Sequence, residues 1–255
     1  MRQFVQKIKN SILWKKISYS GPYQRIRFPK QFKEFNKEFH FFLSLLSANN
    51  KLIFDIGANT GYKTAIFRRL AKRVVCFEPS PNAVKTLKNR FAYSNVTILP
   101  IALSDKKSFA QLHVVAGRET LNSINSKQLK KVIQIAAKGR SINSISVPTE
   151  TLDNMIEILG TPQYIKIDVE GNEKEVISGL SKPVRLLSFE NCTPNFLYEG
   201  ISSIEHLHNI SDGKALFNIF VNDTFIFERF SDPDLIKDHL KNNDYTVAEI
   251  FCRTS

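Results

Sequence analysis

Two short segments carry the densest chemistry in the chain. Residues 55–61 read Asp-Ile-Gly-Ala-Asn-Thr-Gly, behind the apolar run Lys51 to Ile56 and ahead of a helical pattern from Tyr62 to Leu70. Glycines at such a junction permit positive φ and close approach of a ligand to the backbone, which is how strand-loop-helix crevices accept nucleotides. Two phosphate-binding patterns fail here. A dinucleotide fingerprint needs a third glycine at the helix contact, and a Walker loop needs a second glycine where Tyr62 precedes Lys63 and Thr64. A ligand with a zwitterionic amino-acid end and no phosphate fits instead, and S-adenosylmethionine is such a ligand. Asp55 would hold its ammonium, and Glu78, at the end of the next strand, would accept both ribose hydroxyls.

The second segment, Ile165 to Glu173, reads Ile-Lys-Ile-Asp-Val-Glu-Gly-Asn-Glu. Strand alternation sends Lys166 and Asp168 to one face and Ile165, Ile167 and Val169 to the other. Methyl transfer from a sulfonium is an in-line displacement, so the acceptor oxygen must be aligned and its proton removed. Asp168 is the first candidate for that work, as base or as orienting group; Glu170, Glu190 and Lys166 complete the catalytic set. The plainer role for Asp168 is to cap the following turn and order the cofactor loop. Glu173 reads as the start of a helix, where its charge favours the positive end. Asp168, Glu190 and Asn191 would also suit a hard cation holding two hydroxyls, without an evident fourth ligand, so the metal question stays open. His40, His113, His206, His208 and His239 form no motif, and His206 and His208 are two apart, facing different ways on a helix.

Five segments in order resemble the FkbM family of S-adenosylmethionine-dependent methyltransferases: DIGANTGY, FEPSP at 77–81, PIALSD at 100–105, TLD at 151–153 and IKIDVEGNE at 165–173. The likeness runs over residues 51 to 190 and leaves out the first fifty residues and the tail after 192. It implies a class I methyltransferase fold, with cofactor at Asp55, Gly57, Asn59, Gly61 and Glu78 and adenine near Ile101, Ala102 and Ser104. It also implies methyl transfer to a hydroxyl oxygen, commonly on a sugar, glycan or secondary metabolite. Residues 108–146 fit loosely, and Asn191-Cys192-Thr193 departs from the usual continuation after Glu190.

The elements that must position these groups follow from periodicity. Short apolar runs at 51–56, 74–77, 96–101, 164–169 and 186–189 alternate with helical patterns at 62–70 and 82–91, the signature of a parallel sheet covered on both faces. Two strand-like runs (216–221, 224–230), a helix opened by Asp232-Pro233 and a last strand at 245–251 complete a doubly wound, Rossmann-like α/β fold. It is expected as a mostly parallel seven-stranded sheet with an N-terminal helical extension. The stretch 117–146 lacks sustained alternation and reads as an insertion or lid. A methyltransferase domain over 51–255 would follow a basic helical extension over 1–50. Residues 2–17 place Phe4, Val5, Ile8, Ile12 and Leu13 at helical spacing among lysines, and 31–48 form a second helical pattern.

Of 255 residues, 42% are hydrophobic and 24% charged, with ten each of glycine and proline, which excludes wholesale disorder and collagen. The net charge of +12 is uneven: residues 1–51 hold eleven basic and two acidic side chains, leaving 25 and 22 in the rest. Three separated cysteines indicate neither a disulfide framework nor a zinc knuckle, and a reducing cytoplasm suits them. The basic N-terminus lacks the apolar core of a secretory signal, and Phe39 to Leu46 is too short to span a bilayer. The basic helix suits either docking on the domain or weak peripheral association with the inner membrane face. The charge also raises nucleic-acid methylation as a rival. Base-amine methylation usually relies on [DN]PP[YF] where this chain has Asp168-Val169-Glu170-Gly171, C5 methylation wants an absent Pro-Cys, and no nucleic-acid partner is expected. A non-catalytic scaffold is the other alternative, opposed by the intact Asp55, Gly57, Gly61 and Glu78.

Overall fold

The computed structural model describes residues 29–46, 50–115, 124, 142–193 and 195–254. Helix α1 (Pro29–Leu46) precedes strand β1 (Asn50–Ile56), followed by α2 (Tyr62–Leu70), β2 (Ala71–Phe77), α3 (Pro81–Arg90) and β3 (Val96–Leu99). Short β4 (Ala102–Leu103), β5 (Ser108–Val115) and β6 (Ile142–Glu150) come next, then α4 (Leu152–Leu159), β7 (Tyr164–Ile167), α5 (Glu173–Ser178) and β8 (Leu186–Asn191). The remaining elements are α6 (Leu197–Ile210), β9 (Leu216–Val221), β10 (Thr224–Phe225), α7 (Pro233–Lys241) and β11 (Ala248–Arg253).

The main sheet has the order β10-β9-β11-β8-β7-β1-β2-β3. Five neighbours, β3-β2-β1-β7-β8, run parallel, while β11, β9 and β10 pair antiparallel. The strand order reverses between β1 and β7, and a doubly wound sheet opens its crevice at the carboxyl ends of such a pair. Alternation along the strands loads both faces with apolar side chains. Phe54, Ile56, Phe77, Ile165, Ile167 and Phe189 meet one layer, with Leu152, Val176, Ile177 and Ile204 of α4, α5 and α6. Ile53, Val74, Tyr164 and Phe251 meet the other, with Phe42 of α1 and Phe67 of α2.

The structure departs from the sequence reading in four places. The main sheet has eight strands where seven were expected. The run to Phe230 stops at Phe225, since the Asn218 side chain takes the backbone instead, donating to Phe227 O at 2.8 Å and accepting from Phe227 N at 3.2 Å. The run to Ile101 stops at Leu99, where Pro100 supplies no N–H, and β4 crosses to a separate sheet ordered β4-β6-β5. Residues 142–146 of the supposed insertion begin β6, antiparallel to β5 from Ser108↔Thr149 to Val115↔Ile142. The rest of that insertion, apart from Ile124, and the helical pattern at 2–17 lie outside the described residues.

Helix α1 docks through Phe42, which is 1% exposed and packs edge-on against Phe67 at 5.0 Å and against Tyr164 at 5.8 Å. Emptying such a site loses transfer free energy and leaves a cavity. Phe42→Ala should therefore destabilise the protein by about 3 to 5 kcal/mol in urea unfolding. A loss below about 1 kcal/mol would show that α1 does not hold the fold.

Candidate active site

The crevice begins where β1 ends. Gly57 has φ +76°, and a Cβ there would lie 1.7 Å from the Asp168 carbonyl oxygen, so only glycine lets β1 and β7 approach so closely. Gly57 N and Ala58 N both donate to Phe77 O, at 2.9 and 3.4 Å, which folds the loop over β2. Gly61, at φ +82°, caps α2, and a Cβ there would press into Phe91 and Leu87, so its role is the seating of α3 against the loop.

Glu78 stands at the end of β2, only 7% exposed. Its two carboxylate oxygens accept from Asn59 N and from Ser80 N, each at 2.8 Å. Burial raises its pKa while those two N–H groups work the other way. A buried carboxylate so held still has lone pairs to spare, and donors such as a diol would relieve the burial penalty. The Asn59 side-chain oxygen is buried and without a partner. Gly57, Asn59, Glu78, Ala102, Asp168 and Glu170 all line one cavity, together with the apolar Leu103 and Leu112. Hydroxyl and ammonium acceptors beside an apolar wall fit an adenosyl amino acid.

Other residues expected at the cofactor stand elsewhere. Asp55 is 1% exposed and absent from the cavity lining; its carboxylate accepts from Thr64 Oγ1 at 2.5 Å, on the α1–α2 side of the sheet. Burial raises its pKa, with the Lys166 ammonium and the Thr64 hydroxyl pulling it back. Ile101 packs toward the core, and Ser104 N donates to Glu150 O at 2.9 Å, so these two frame the wall that Ala102 and Leu103 present. The other motifs are structural. Thr151 caps α4 by accepting from Asn154 N at 3.1 Å, and Asp153 accepts from Ser181 N at 3.0 Å.

Asp168 also lines a second cavity, with Lys166, Glu190, Lys63 and Glu249. Lys166 Nζ donates to Asp168 Oδ2 at 2.7 Å. Burial works to lower the Lys166 pKa, but the carboxylates of Asp168, Glu249 and Asp55 outweigh it and hold the ammonium above its ordinary value. Glu249, which sequence reasoning missed, faces Glu190 across the β8–β11 register and accepts from Ser188 Oγ at 2.7 Å. Ser188 in turn shares a hydrogen with the Tyr164 hydroxyl at 2.5 Å. Glu190 is pushed up to about 8, by burial first and the Asp168 carboxylate second, with partial relief from Lys166. Glu170 sits at φ +55° and Gly171 at +91°, in a turn tied by Glu173, whose Oε1 accepts from Val169 N and Gly171 N at 3.0 and 3.1 Å. Burial pushes Glu173 up to about 7 despite those bonds.

The cation reading loses one ligand. Asn191 turns to the other side of β8, donating to Phe196 O at 2.9 Å and packing against Gly200. Among the described residues no three His, Cys, Asp or Glu side chains are grouped for a metal.

The family model for the methyltransferase FkbM domain matches residues 55–247. A hexuronic acid methyltransferase of Haloferax volcanii is 23% identical over 140 residues, covering 54% of this chain and 53% of that protein. A ribosomal RNA small subunit methyltransferase A of Mesomycoplasma hyopneumoniae is 28% identical over 126 residues, covering 49% and 48%. This chain thus spans about half the length of the curated relatives it matches. The crystal structure of a methyltransferase FkbM from Methylobacillus flagellatus KT superposes with a TM-score of 0.50 at 15% identity, over 84% of this chain and 47% of the other. The class I methyltransferase-like fold is shared.

Raised carboxyl pKa values have a stability consequence. Glu190 and Glu173 keep protons in the folded chain that the unfolded chain has released above its ordinary value of 4.5. Where the folded state binds more protons, stability falls as pH rises. The stabilising contribution is full below about pH 4.5 and is lost as pH climbs through about 7 and 8. Urea unfolding between pH 5 and 9 should show this decline, and Glu190→Gln should flatten its upper part. An unchanged slope in that variant would remove Glu190 as its source.

Proposed function

The chain belongs to the FkbM methyltransferase family, and from that premise we propose that it transfers the methyl group of S-adenosylmethionine to a hydroxyl oxygen of a sugar, glycan or secondary metabolite. One observation carries the reading: Asp168 stands between the crevice of Gly57 and Glu78 and a second, acid-rich cavity. When bound, the cofactor supplies an electrophilic methyl on a sulfonium. Glu78 accepts the ribose hydroxyls, Asn59 offers its unpartnered oxygen, and Ala102 and Leu103 cover the adenine. Asp55 acts as fixed negative charge behind the loop. Asp168, fixed by Lys166, orients the acceptor hydroxyl toward the crevice, with Glu170 at the rim. Once ionised, above about pH 8, Glu190 is the better proton acceptor, because burial penalises its carboxylate, whereas the Asp168 charge is committed to an ammonium.

Calorimetry tests the two halves separately. The full chain should bind S-adenosylmethionine, and Glu78→Ala should weaken binding by about 1 to 3 kcal/mol through lost charge-assisted hydrogen bonds. Asp168→Asn should leave that affinity nearly unchanged and lower turnover, measured as S-adenosylhomocysteine release, since its contribution belongs to the transition state. A wild-type chain that binds no S-adenosylmethionine would end the proposal; equal losses of affinity and turnover in Asp168→Asn would move that residue to the cofactor.

Among the described residues no helix is long and apolar enough to cross a membrane. Residues 1–20 carry Arg2, Lys7, Lys9, Lys15 and Lys16 with no acidic residue, and Trp14 beside Leu13 suits a headgroup boundary. From these we infer weak, salt-sensitive association with anionic membranes, each basic residue contributing up to about 1 kcal/mol. Full-length protein should co-sediment with phosphatidylserine vesicles at low salt and lose this on deletion of residues 1–20. Failure to sediment at low salt would refute it.

A further inference from the structure

The second cavity does not end at Glu249. It runs into a groove beneath α1, and the two share Lys63, Phe220, Asp223 and Glu249 in their linings. The α1 side contributes Lys37, Glu38 and Phe41. These three precede residue 55 and Glu249 follows residue 247, outside the segment that the family model matches, whereas Lys63, Phe220 and Asp223 lie within it. So do Asp168 and Glu190.

The charges of this trench are arranged unevenly. Each lysine in the lining is committed to a neighbour: Lys37 to Asp223 at 2.8 Å, Lys63 to Glu38, and Lys166 to Asp168 at 2.7 Å. Glu190 and Glu249 have no ion pair of their own in the lining and share the field of Lys166 with Asp168 and Asp55, so five carboxyl groups (Glu38, Asp168, Glu190, Asp223 and Glu249) face three ammoniums. Glu249 accepts one hydroxyl hydrogen bond, from Ser188, and Glu190 only a thiol contact from Cys192 at 3.9 Å. With Glu190 protonated below about pH 8 the lining still carries one carboxylate more than it has ammoniums, so an anionic acceptor entering here would meet surplus negative charge and lose its own hydration, which is costly. Hydroxyl groups, by contrast, donate to carboxylates without adding charge. The half-buried rings of Phe41 and Phe220, 4.3 Å apart at 34°, give the groove an apolar floor on which the C–H face of a pyranose-like ring can lie.

We propose that the trench under α1 binds an uncharged, polyhydroxylated acceptor of at least two units, one presented to Asp168 and the next seated against Phe41 between the Lys37–Asp223 and Lys63–Glu38 pairs. The proposal rests on the methyl-transfer reading for the position of the reacting unit, and adds the length and charge of the acceptor. It makes Lys37, Asp223 and Glu249 determinants of specificity.

The test uses the full chain with S-adenosylhomocysteine and binding measured by calorimetry. The probes are neutral di- and trisaccharides of glucose, galactose, mannose and rhamnose, their monosaccharides, and the matching uronate oligomers. At least one neutral oligomer should bind tenfold or more tightly than its monosaccharide, and better than its uronate counterpart. The double variant Lys37→Ala/Asp223→Ala should bring that oligomer to within threefold of the monosaccharide while S-adenosylhomocysteine affinity stays unchanged. These side chains are 63% and 52% exposed, so their removal spares the core. Oligomers binding no better than monosaccharides, uronates binding best, or an advantage that survives the double variant would each overturn the proposal. Loss of S-adenosylhomocysteine binding by the wild type would instead strike the methyl-transfer reading, and the same calorimeter separates the two.

Discussion

The buried ammonium of Lys166 is the charge around which this site is organised. It is 4% exposed, sits in the middle of the main sheet, and is surrounded by acids from three other positions: Asp55 on β1, Asp168 just beyond β7 and Glu249 on β11. Removing an unpaired ammonium from water would be prohibitive, so the sheet tolerates Lys166 only because those carboxylates are present. The dependence is mutual. Asp55 is fully buried and is drawn back toward ionisation chiefly by Lys166. Asp168 takes its position from the 2.7 Å ion pair. One charge therefore couples the strand that carries the glycine loop to the strands that carry the second cavity.

The backbone constraint beside this charge is equally strict. Gly57 and Asp168 approach more closely than any side chain permits, and Asp168 N donates to Ile56 O at 3.0 Å, continuing the β1–β7 pairing one step past the strand ends. That contact fixes the Asp168 backbone against the glycine loop while its side chain turns to Lys166. Asp168 thus belongs to both cavities by geometry, whatever chemistry occupies them. The turn that follows, with Glu170 and Gly171 at positive φ, is held by Glu173, a carboxyl group that gives up its solvation to do so.

Much of this was legible in the sequence because local constraints dictated it. Glycine at 57, a strand-end acid at 78 and the alternation of Lys166 with Asp168 each follow from backbone geometry over a few residues. The misreadings came from longer-range effects. Asp55 looked like a ligand because it ends a strand, but strand parity turns it toward α1 and α2, where Thr64 holds it. In β6 the alternation is short, Ile145 and Val147 between Ser144, Ser146 and Pro148, and its pairing with β5 supplies what periodicity did not. Glu249 lies between the apolar Ala248 and Ile250 of β11 with no motif around it. Only the antiparallel register that sets it opposite Glu190 makes it part of the site.

The distribution of protons across the trench follows from the same charge. Asp168 is committed to its ion pair with Lys166 at 2.7 Å. Glu190 lies nearer the opposite condition: burial and the Asp168 charge penalise its carboxylate, and Lys166 compensates only in part. Glu190 faces Glu249 across the sheet, and like charges so placed are destabilising once Glu190 loses its proton, above about pH 8. A sequence selected for stability alone would have replaced one of them. Retaining both costs stability as pH rises, yet it keeps a hydrogen-bond acceptor at Glu249 and a basic carboxylate at Glu190 on the same wall. On the proposed reading that cost is functional, since the hydroxyls of an entering polyol would donate to Glu249, and to Glu190 once it is ionised.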